Sequence, residues 1–412
     1  MNRSLGADRP LLIVVGLLLL FGVIVLYSAG QTDVPSFAAA GAWRRQIIWI
    51  MGGAVVAYAS FRISPRLLEW AALPVYVMGL LLLGVTLVIG GGAGTAASSK
   101  SWIYIGGHAI GQPAEFAKLA TLLMLARHLS GRREAPETLR DLVPACMIAG
   151  APALLVLLQP DLGSALVFVG ILFAMLFWAG VSPVLILILA SPVASLLLAF
   201  NAWAWAGWMV VVSLLWWVGR LYFWEGVAVF GANFAMGAIA LPLWRKLAPY
   251  QQNRLLTFLN PEVDPQKAGY HAIQSKVAIG SGGWFGNGYL QGPQKRLAFL
   301  PEQHTDFIFA VVGEEFGLIG NGLLLLLYIL LIGRAMVITA NASTLFSRLL
   351  AGAVTLMFFT YAFVNMGMVT GILPVVGVPL PFVSYGGTAM VSLFIGIGIL
   401  MSVQAHRKLV TS

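Results

Sequence analysis

The 412-residue chain is 59% hydrophobic, and only 9% of its residues are charged. Soluble domains carry about 25% charged residues, so this composition excludes a soluble globular protein and indicates a polytopic membrane protein. The formal net charge of +9 does not predict a nucleic-acid partner, because basic residues in membrane proteins first report topology and contact with anionic headgroups. The single cysteine, Cys146, excludes an internal disulfide.

Hydropathy predicts twelve hydrophobic segments, and lipid leaves only the helix to satisfy the backbone groups of such segments. We therefore expect an all-α polytopic membrane protein of about 10–12 transmembrane helices with one large loop, forming one integral membrane domain over residues 1–412. The predicted spans are 11–29, 46–61, 67–89, 114–129, 141–158, 162–180, 183–201, 204–219, 225–244, 307–333, 347–370 and 386–404.

The distribution of basic residues predicts the orientation of these spans. Short loops on one side of the membrane carry thirteen Lys and Arg, whereas short loops on the other side carry three. Because the cytoplasmic side collects positive charge, both termini are predicted to be cytoplasmic and the long loop, residues 243–307, to be extracytoplasmic.

Three charged residues lie at or near membrane depth. Pro113 favours a helix start just before Glu115 and Lys118, and positions three apart share a helix face, so the two can pair. They are either an internal ion pair that lets both charges survive in lipid or part of a functional site. Asp161, in a very short outer turn, is either a helix cap or a ligand to substrate or metal.

The long loop, residues 243–307, is the one long polar stretch of the chain. It carries Asp264 between two prolines, a glycine run at 280–283 that would tolerate a phosphate, the charged stretch 301–306, and seven Lys and Arg. We predict that this loop holds a reaction centre that the hydrophobic segments keep in place.

Residues 371–387 contain three prolines and several glycines, so they cannot form a regular helix although they lie at membrane depth. Such backbone is tolerated only where it is buried in protein or lines a wet cavity. A purely structural re-entrant turn is one interpretation. The other is a phosphate site, because the backbone N–H groups of Ser384–Gly387 stand at a predicted helix start.

Four stretches together resemble the SEDS family (shape, elongation, division and sporulation), the polytopic glycan polymerases of bacterial cell-wall synthesis. They are Lys100–Ile103 with Gln112–Lys118, Gln159–Gly163, Asn260–Gly288 continuing through Phe299–Ala310, and Gly371–Gly387. The residues Gly269–Lys276 and Gly371–Pro381 are similar to the RodA, or elongation, branch rather than the FtsW, or division, branch. The family usually has ten spans, so the Trp-rich residues 202–245 are predicted to be an insertion, either two extra spans or a re-entrant pair.

The resemblance implies a peptidoglycan glycosyltransferase that polymerises lipid II into β-1,4 glycan strands during cell elongation, at the outer face of the bacterial cytoplasmic membrane. The donor is a disaccharide carried on undecaprenyl pyrophosphate. Family members act with a class B penicillin-binding transpeptidase and with other membrane proteins of the elongation complex. The essential aspartate of the family falls on Asp264 here.

Glycosyl transfer from a pyrophosphate donor requires one base rather than two carboxyl groups, because pyrophosphate is a good leaving group that needs no protonation. Asp264 is therefore the predicted general base for the acceptor hydroxyl, although an Asp-Pro pair by itself more often forms a turn. Cations are needed for the departing phosphates. Lys276, Lys295 and Arg296 are candidates, and the last two equally suit anionic headgroups.

Further site candidates come from the motifs that carry the resemblance. The predicted substrate-binding residues are Lys100, Trp102, Glu115, Lys118, Gln159, Asp161, Lys276, His304, Asp306, Ser384, Tyr385 and Gly386. For His304 and Asp306 the alternatives are a structural, hydrogen-bonded histidine and a helix cap. No covalent cofactor is predicted. A magnesium ion bridging phosphates is chemically reasonable, and its candidate ligands are Asp161, Glu302, His304 and Asp306, although no spacing here is a metal signature.

Two other functions fit parts of the pattern. A transporter that flips the lipid-linked precursor would need many spans and buried charges, but it would not need Asp264 outside the membrane. A non-catalytic scaffold would leave the chemistry to its transpeptidase partner.

Overall fold

The computed structural model describes residues 8–33, 39–92, 100–106, 108–132, 134–246, 252, 268–300 and 302–407. Its elements, in chain order, are α1 (Arg9–Ala29), α2 (Ala42–Arg62), α3 (Pro65–Ile89), β1 (Ile103–Ile105), β2 (His108–Gly111), α4 (Pro113–Ser130), α5 (Leu139–Leu158), α6 (Leu162–Trp178), α7 (Pro183–Leu198), α8 (Ala202–Gly219), α9 (Phe223–Lys246), α10 (Ala268–Ser281), α11 (Pro293–Arg296), α12 (Ile308–Ala340), α13 (Leu345–Thr370) and α14 (Gly387–His406).

The helices coincide with the predicted spans. Within the described residues, each of the twelve predicted spans overlaps one of α1–α9 or α12–α14. In the described part of the chain, eight helices are long and apolar enough to cross a membrane, and α6 and α7 are shorter apolar helices. The prediction of a polytopic helical membrane protein is confirmed.

Several helices begin where the sequence supplies a cap. Thr138 and Asp141 form a reciprocal capping box at the start of α5. Pro113 occupies the first turn of α4, as predicted, where a missing N–H costs no hydrogen bond. Asp161 caps α6, because its Oδ1 accepts a hydrogen bond from the Ser164 N–H at 3.0 Å.

A short antiparallel hairpin, which the sequence pattern did not predict, precedes α4. Its strands β1 and β2 pair with Tyr104 opposite Ala109. Trp102, just before β1, exchanges two backbone hydrogen bonds with Gly91, which follows α3. The stretch that carries Lys100 and Trp102 is therefore held at the end of α3.

The long helix α12 is broken at Gly317, whose φ of 65° and ψ of −158° are not helical. A break leaves backbone groups without partners inside the helix, and loop residues 282–288 supply those partners. Four backbone hydrogen bonds join the two segments: Leu318 to Gly283, Ile319 to Trp284, Asn287 to Glu314 and Gly288 to Glu315, each written from N–H to carbonyl oxygen.

Glycines allow this close approach between the loop and α12. A Cβ on Gly282 would meet the Gly313 carbonyl oxygen, and a Cβ on Gly286 would meet the Glu315 carbonyl oxygen. The glycine run was interpreted above as tolerant of a phosphate. For Gly282 the structure shows a different reason, because its missing side chain makes room for the backbone of α12.

Residues 371–386, between α13 and α14, form an irregular segment that we call the re-entrant segment. Buried side chains of three helices donate to its carbonyl oxygens. These hydrogen bonds run from Tyr328 to Pro381 (2.6 Å), from Asn365 to Val378 (2.7 Å) and from Gln46 to Ser384 (3.0 Å). Residues 378–384 of the segment are thus largely buried in protein, whereas residues 371–377 are half-buried or exposed. Irregular backbone at membrane depth is tolerated where it is buried in protein or lines a wet cavity.

The Trp-rich residues fold into the helical pair α8–α9, which packs on α7 through polar side chains. Asn233 of α9 is buried, and its Nδ2 donates to Ser191 Oγ of α7 at 2.8 Å. The Asn233 Oδ1 accepts from Trp208 Nε1 of α8 at 3.3 Å, so one amide connects three helices. The outer face of the pair exposes apolar and Trp side chains, as suits helices in contact with lipid.

We predict that Asn233→Ala loosens the α8–α9 pair. The substitution removes the donor to Ser191 Oγ and the acceptor for Trp208 Nε1, and such interhelical bonds contribute about 0.6–2 kcal/mol each in membranes. Hydrogen exchange over residues 202–246 should rise and the unfolding temperature in detergent should fall. The control is Ser213→Ala, which removes a hydroxyl of α8 that bonds only its own helix, to the Met209 carbonyl. Equal exchange in the two variants would contradict the prediction.

Candidate active site

The re-entrant segment brings two predicted site residues to its edge. The Lys276 side chain, on α10, lies against Gly371, where a Cβ would stand 2.5 Å from its Nζ. Asp306 lies beside Gly377, where a Cβ would stand 3.3 Å from its Oδ2. Both glycines have positive φ, of 79° and 71°, so backbone conformation and close contact both favour glycine there. A loop cation and a loop carboxylate therefore flank the same segment.

The turn at 302–306 is fastened to the far end of the re-entrant segment. The Ser384 hydroxyl donates to the Thr305 carbonyl, and the Tyr385 N–H donates to the His304 carbonyl at 2.9 Å. The rings of His304 and Tyr385 lie 5.8 Å apart, and the Arg45 guanidinium stands 5.2 Å from the centre of the Tyr385 ring. The turn, the re-entrant segment and α2 thus meet at one place.

His304 is buried in this arrangement, with 5% of its surface exposed. Loss of hydration and, to a smaller extent, the nearby positive charge of Arg45 together lower the pKa of His304 to about 4. The imidazole is therefore neutral at pH 7, where it can exchange hydrogen bonds but cannot neutralise a phosphate. The distance from Glu302 Oε2 to His304 Nε2 is 3.8 Å.

Asp306 does not cap the following helix. The N-cap of α12 is Phe307, and no side chain accepts a hydrogen bond at that position. The interpretation of Asp306 as a helix cap is wrong, because the 302–306 turn directs the chain so that its carboxylate lies beside Gly377 instead. Its backbone carbonyl accepts from Asn365 of α13 at 2.9 Å.

Asp161 and Gln159 lie where α6 approaches the same segment. Gly163, in the first turn of α6, is so close to the Val376 carbonyl oxygen that no Cβ would fit. The Asp161 carboxylate, which already caps α6, also accepts from Gln112 Nε2 at 2.9 Å. Asp161 is therefore both a cap and a half-buried group near the re-entrant segment.

The predicted residues of the β-hairpin region lie beside Gln159. The Lys100 N–H donates to the Gln159 carbonyl at 3.3 Å, and the Gln159 amide donates to the Leu83 carbonyl at 3.0 Å. Gln159 is buried, Trp102 is half-buried, and Lys100 is exposed. Of these three, Lys100 offers its side chain most openly.

Glu115 and Lys118 form the predicted ion pair, with 2.7 Å between Oε1 and Nζ. Both side chains are buried, and further groups surround them. The Tyr361 hydroxyl lies 2.8 Å from the Lys118 Nζ and donates to Glu115 Oε2 at 2.9 Å, while Ser392 donates to the same oxygen at 3.2 Å. The pair joins α4 to α13 and α14, so its charges are compensated inside the bundle.

Lys295 was a candidate for binding a phosphate, but its position in the structure excludes this role. Its side chain is completely buried, and its Nζ lies 2.8 Å from Glu315 Oε1 and 3.0 Å from Ser28 Oγ. Burial of a charge requires such partners, so Lys295 connects α11 to α12 and α1. Arg296 is half-exposed and pairs with Asp33 at 2.9 Å.

The start of α14 keeps a feature that suits an anion. Its N-cap is Gly386, which offers no side chain to the first N–H groups of the helix. Those groups and the helix dipole favour negative charge. Of the residues predicted here, Ser384 is engaged within the segment, whereas Tyr385 and Gly386 are half-buried.

The predicted base, Asp264, lies outside the described residues. Among the residues that the structure describes, no group of three or more His, Cys, Asp or Glu side chains is placed to hold a metal ion. The candidate ligands Asp161, Glu302, His304 and Asp306 therefore do not form a ready-made cage.

Sequence reasoning missed several residues of this region. Arg45 had been counted only as a charge in an outer loop, and Tyr361 and Ser392 had not been considered. Contacts between such distant positions leave no local pattern. For Arg45, the only available signal was its position near an outer helix end.

A family model described as cell cycle protein, for the FtsW, RodA and SpoVE group, matches residues 8–409. The chain belongs to this family. The SEDS resemblance proposed from the motifs is thereby confirmed, and the match includes the re-entrant segment, the long loop and the Glu115–Lys118 helix.

Named relatives in the FtsW/RodA/SpoVE family agree over nearly the whole chain. Peptidoglycan glycosyltransferase MrdB of Escherichia coli K12 is 40% identical over 407 residues, which cover 98% of this chain and 95% of the relative. Peptidoglycan glycosyltransferase RodA of Treponema pallidum is 36% identical over 432 residues, with 97% and 98% covered. A probable FtsW of Trichlorobacter lovleyi is 34% identical. These identities agree with the predicted RodA-like branch.

Solved structures of the family share the fold. A chain from a peptidoglycan synthase complex that coordinates polymerization and crosslinking matches with a TM-score of 0.71 and 27% identity, and 98% of each chain is covered. The RodA of Thermus thermophilus matches with a TM-score of 0.64 and 26% identity, and 99% of each chain is covered.

We predict that Lys295→Met destabilises the protein strongly. The variant leaves the Glu315 carboxylate buried without its cation, and breaking a buried ion pair in this way costs about 3–5 kcal/mol. The double variant Lys295→Met, Glu315→Gln should recover most of the unfolding temperature, because no buried charge remains. Arg296→Met serves as the control, since its ion pair with Asp33 is exposed to solvent. An unfolding temperature of Lys295→Met equal to that of Arg296→Met would contradict a stabilising role for the Lys295–Glu315 ion pair.

We also predict that burial of His304 makes stability depend on pH. The unfolded chain takes up a proton near pH 6.5, whereas the folded protein does so only near pH 4. Between these values the unfolded state binds more protons, so stability falls as the pH is lowered, by an amount on the order of 3 kcal/mol. The difference in unfolding temperature between wild type and His304→Gln should shrink from pH 7 to pH 5. Parallel pH profiles would contradict this assignment.

Proposed function

We propose that this chain polymerises lipid II into β-1,4 glycan strands at the outer face of the cytoplasmic membrane, with Asp264 as the general base. The chain is a peptidoglycan glycosyltransferase, as are its relatives named MrdB and RodA. The observation that supports the more detailed proposal is the re-entrant segment, which is flanked by Arg45 and by Lys276 and Asp306 of the described part of the 243–307 loop.

In the proposed reaction, the acceptor 4-hydroxyl attacks the anomeric carbon of the donor sugar. The bond from that carbon to the pyrophosphate breaks with inversion, and the undecaprenyl pyrophosphate leaves as an anion. The Asp264 carboxylate takes the proton of the attacking hydroxyl. Because the leaving group needs no proton, a single carboxylate is sufficient, and the remaining demand is for positive charge near the phosphates.

Two exposed cations are suited to that demand. Lys276 lies at one end of the re-entrant segment, beside Gly371, and Arg45 lies at the other end, over Tyr385. Both have exposed side chains, unlike Lys295. Arg binds phosphate through two parallel hydrogen bonds and Lys binds it as a point charge. The start of α14 at Gly386 adds backbone N–H groups nearby.

The other predicted residues take different parts in this proposal. Glu115 and Lys118 satisfy each other inside the bundle, so we assign them the positioning of α4 against α13 and α14. Asp161 and Asp306 flank the re-entrant segment and are suited to bind sugar hydroxyls. Lys100 is exposed near Gln159, where it can meet the polar part of the substrate.

A divalent cation is compatible with these residues. Magnesium usually keeps several waters and binds through one or two carboxylates together with substrate phosphates. Asp161, Glu302 and Asp306 offer such carboxylates, while His304 is a poorer ligand for a hard cation. A bound magnesium ion would supply positive charge to the pyrophosphate.

We propose the same partner and location that the family implies. The related chain of known structure comes from a complex that coordinates polymerization with crosslinking, which supports a class B penicillin-binding transpeptidase as partner, beside other membrane proteins of the elongation complex. The bias of Lys and Arg supports cytoplasmic termini in the bacterial inner membrane.

The deciding measurement is glycan polymerisation by purified protein supplied with lipid II in detergent. Asp264→Asn should lower the rate by about 100-fold or more, because a positioned general base contributes 10²–10⁴-fold. Glu262→Gln is the matched control, since it neutralises another acid of the same loop two residues away. Full activity of Asp264→Asn, with an unfolding temperature like that of the wild type, would show that Asp264 is not the general base.

Further arms of the same assay separate the other functions. A flippase would produce no polymer from lipid II that is already accessible in detergent. A scaffold would remain inactive when supplied with a partner whose transpeptidase serine is replaced. Activity that falls with chelator and returns with magnesium would support the divalent cation.

A further inference from the structure

A cavity of about 420 Å³ opens between α3 and α4 at the end of the bundle that faces away from the re-entrant segment. The direction of α4 defines this end, because Gln112, just before the helix, contacts Asp161, whereas the cavity lies at the last turn. Its lining consists of Leu73, Met124, Arg127, His128, Gly131 and Arg132. No part of the proposed glycan chemistry uses this cavity.

The polar half of the cavity carries positive charge that the protein does not fully compensate. Arg127 makes no ion pair or side-chain hydrogen bond with any described residue. Arg132 pairs with Asp141 at 3.0 Å, and that carboxylate is partly exposed. The Nε2 atom of His128 is buried, and no residue in the described part of the chain hydrogen-bonds to it.

The other half of the cavity is apolar, with Leu73 and Met124 in its lining. Met124, Arg127, His128 and Gly131 share one face of α4, so the apolar side chain stands one turn deeper than the charged ones. Leu73 is 47% exposed and lies roughly 12 Å along α3 from its start, at 1.5 Å per residue. The cavity therefore has its charged residues at the end of α4 and its apolar residues about one turn further into the bundle.

This combination distinguishes among anionic ligands. A soluble phosphate would gain from the arginines but not from Leu73 and Met124. A phospholipid has a phosphate at its headgroup and acyl chains below it, in the same order as the two halves of the cavity. The basic loops predict that this end is cytoplasmic, and the cytoplasmic leaflet is the one that is rich in anionic lipids.

We infer that this cavity binds the phosphate headgroup of an anionic phospholipid, with Arg127 as its main contact. Arg132 adds a second positive charge, which Asp141 holds in place. The glycerol and the first acyl carbons pack on Met124 and Leu73. Occupancy of this site, at the last turn of α4, therefore depends on how much anionic lipid the inner leaflet contains.

The test is native mass spectrometry of the full-length protein in detergent, titrated with phosphatidylglycerol or with phosphatidylethanolamine of the same acyl chains. The wild type should retain one phosphatidylglycerol at concentrations where phosphatidylethanolamine is lost. Arg127→Ala should weaken that retention about fivefold, the effect expected for one basic residue at the membrane surface. Arg66→Ala should leave it unchanged, because Arg66 is exposed at the start of α3 and does not line the cavity.

Three results would overturn the inference. They are a wild type without preference for the anionic lipid, an equal loss in Arg66→Ala, and inorganic phosphate displacing the lipid or raising the unfolding temperature as much as phosphatidylglycerol does. Hydrogen exchange on the wild type gives a second measurement should Arg127→Ala fail to fold. Phosphatidylglycerol, and not phosphatidylethanolamine, should protect residues 124–132, and equal protection by both lipids would also refute the site.

Discussion

The backbone contact between the broken helix α12 and loop residues 282–288 organises the outer half of this protein. Gly317 interrupts the helix, and the loop fills the interruption with its own N–H and carbonyl groups. The buried ion pair of Lys295 with Glu315 then fastens the next part of the loop to the same helix. As a result, α10 and α11 are anchored to a membrane helix at several points although the loop is polar. A reaction centre in such a loop gains a fixed position relative to the bundle, which catalysis requires.

The protein uses the same residue types in two ways, and burial separates them. Lys118 and Lys295 are buried, and each forms an ion pair with a glutamate that neutralises its charge within the fold. Lys276 and Arg45 are exposed at the two ends of the re-entrant segment, where a ligand can approach them. Because a buried charge needs a partner inside the protein, only basic residues that remain exposed can bind an incoming ligand. That simple sorting explains why only some of the basic residues near the loop are suited to a pyrophosphate.

The sequence was a good guide wherever the membrane or a short spacing imposes a pattern. Hydrocarbon thickness demands a long apolar run for each helix, and a spacing of three places Glu115 and Lys118 on one face. It was a poor guide to contacts between distant segments. A single glycine in an apolar run is compatible with a continuous helix, so the break at Gly317 was not predicted. Lys295 was considered for a phosphate or an anionic headgroup because its partner Glu315 stands on another helix, and the contact of the Tyr361 hydroxyl with Glu115 was not predicted for the same reason.

The polar attachment of the α8–α9 pair has an evolutionary consequence. The amide of Asn233 reaches into α7 and α8 and contacts none of the helices that carry the re-entrant segment. A helical pair fixed in this way forms a side module. Its gain or loss in a lineage would change the outline that the protein presents within the membrane while leaving the interior of the bundle in its original arrangement.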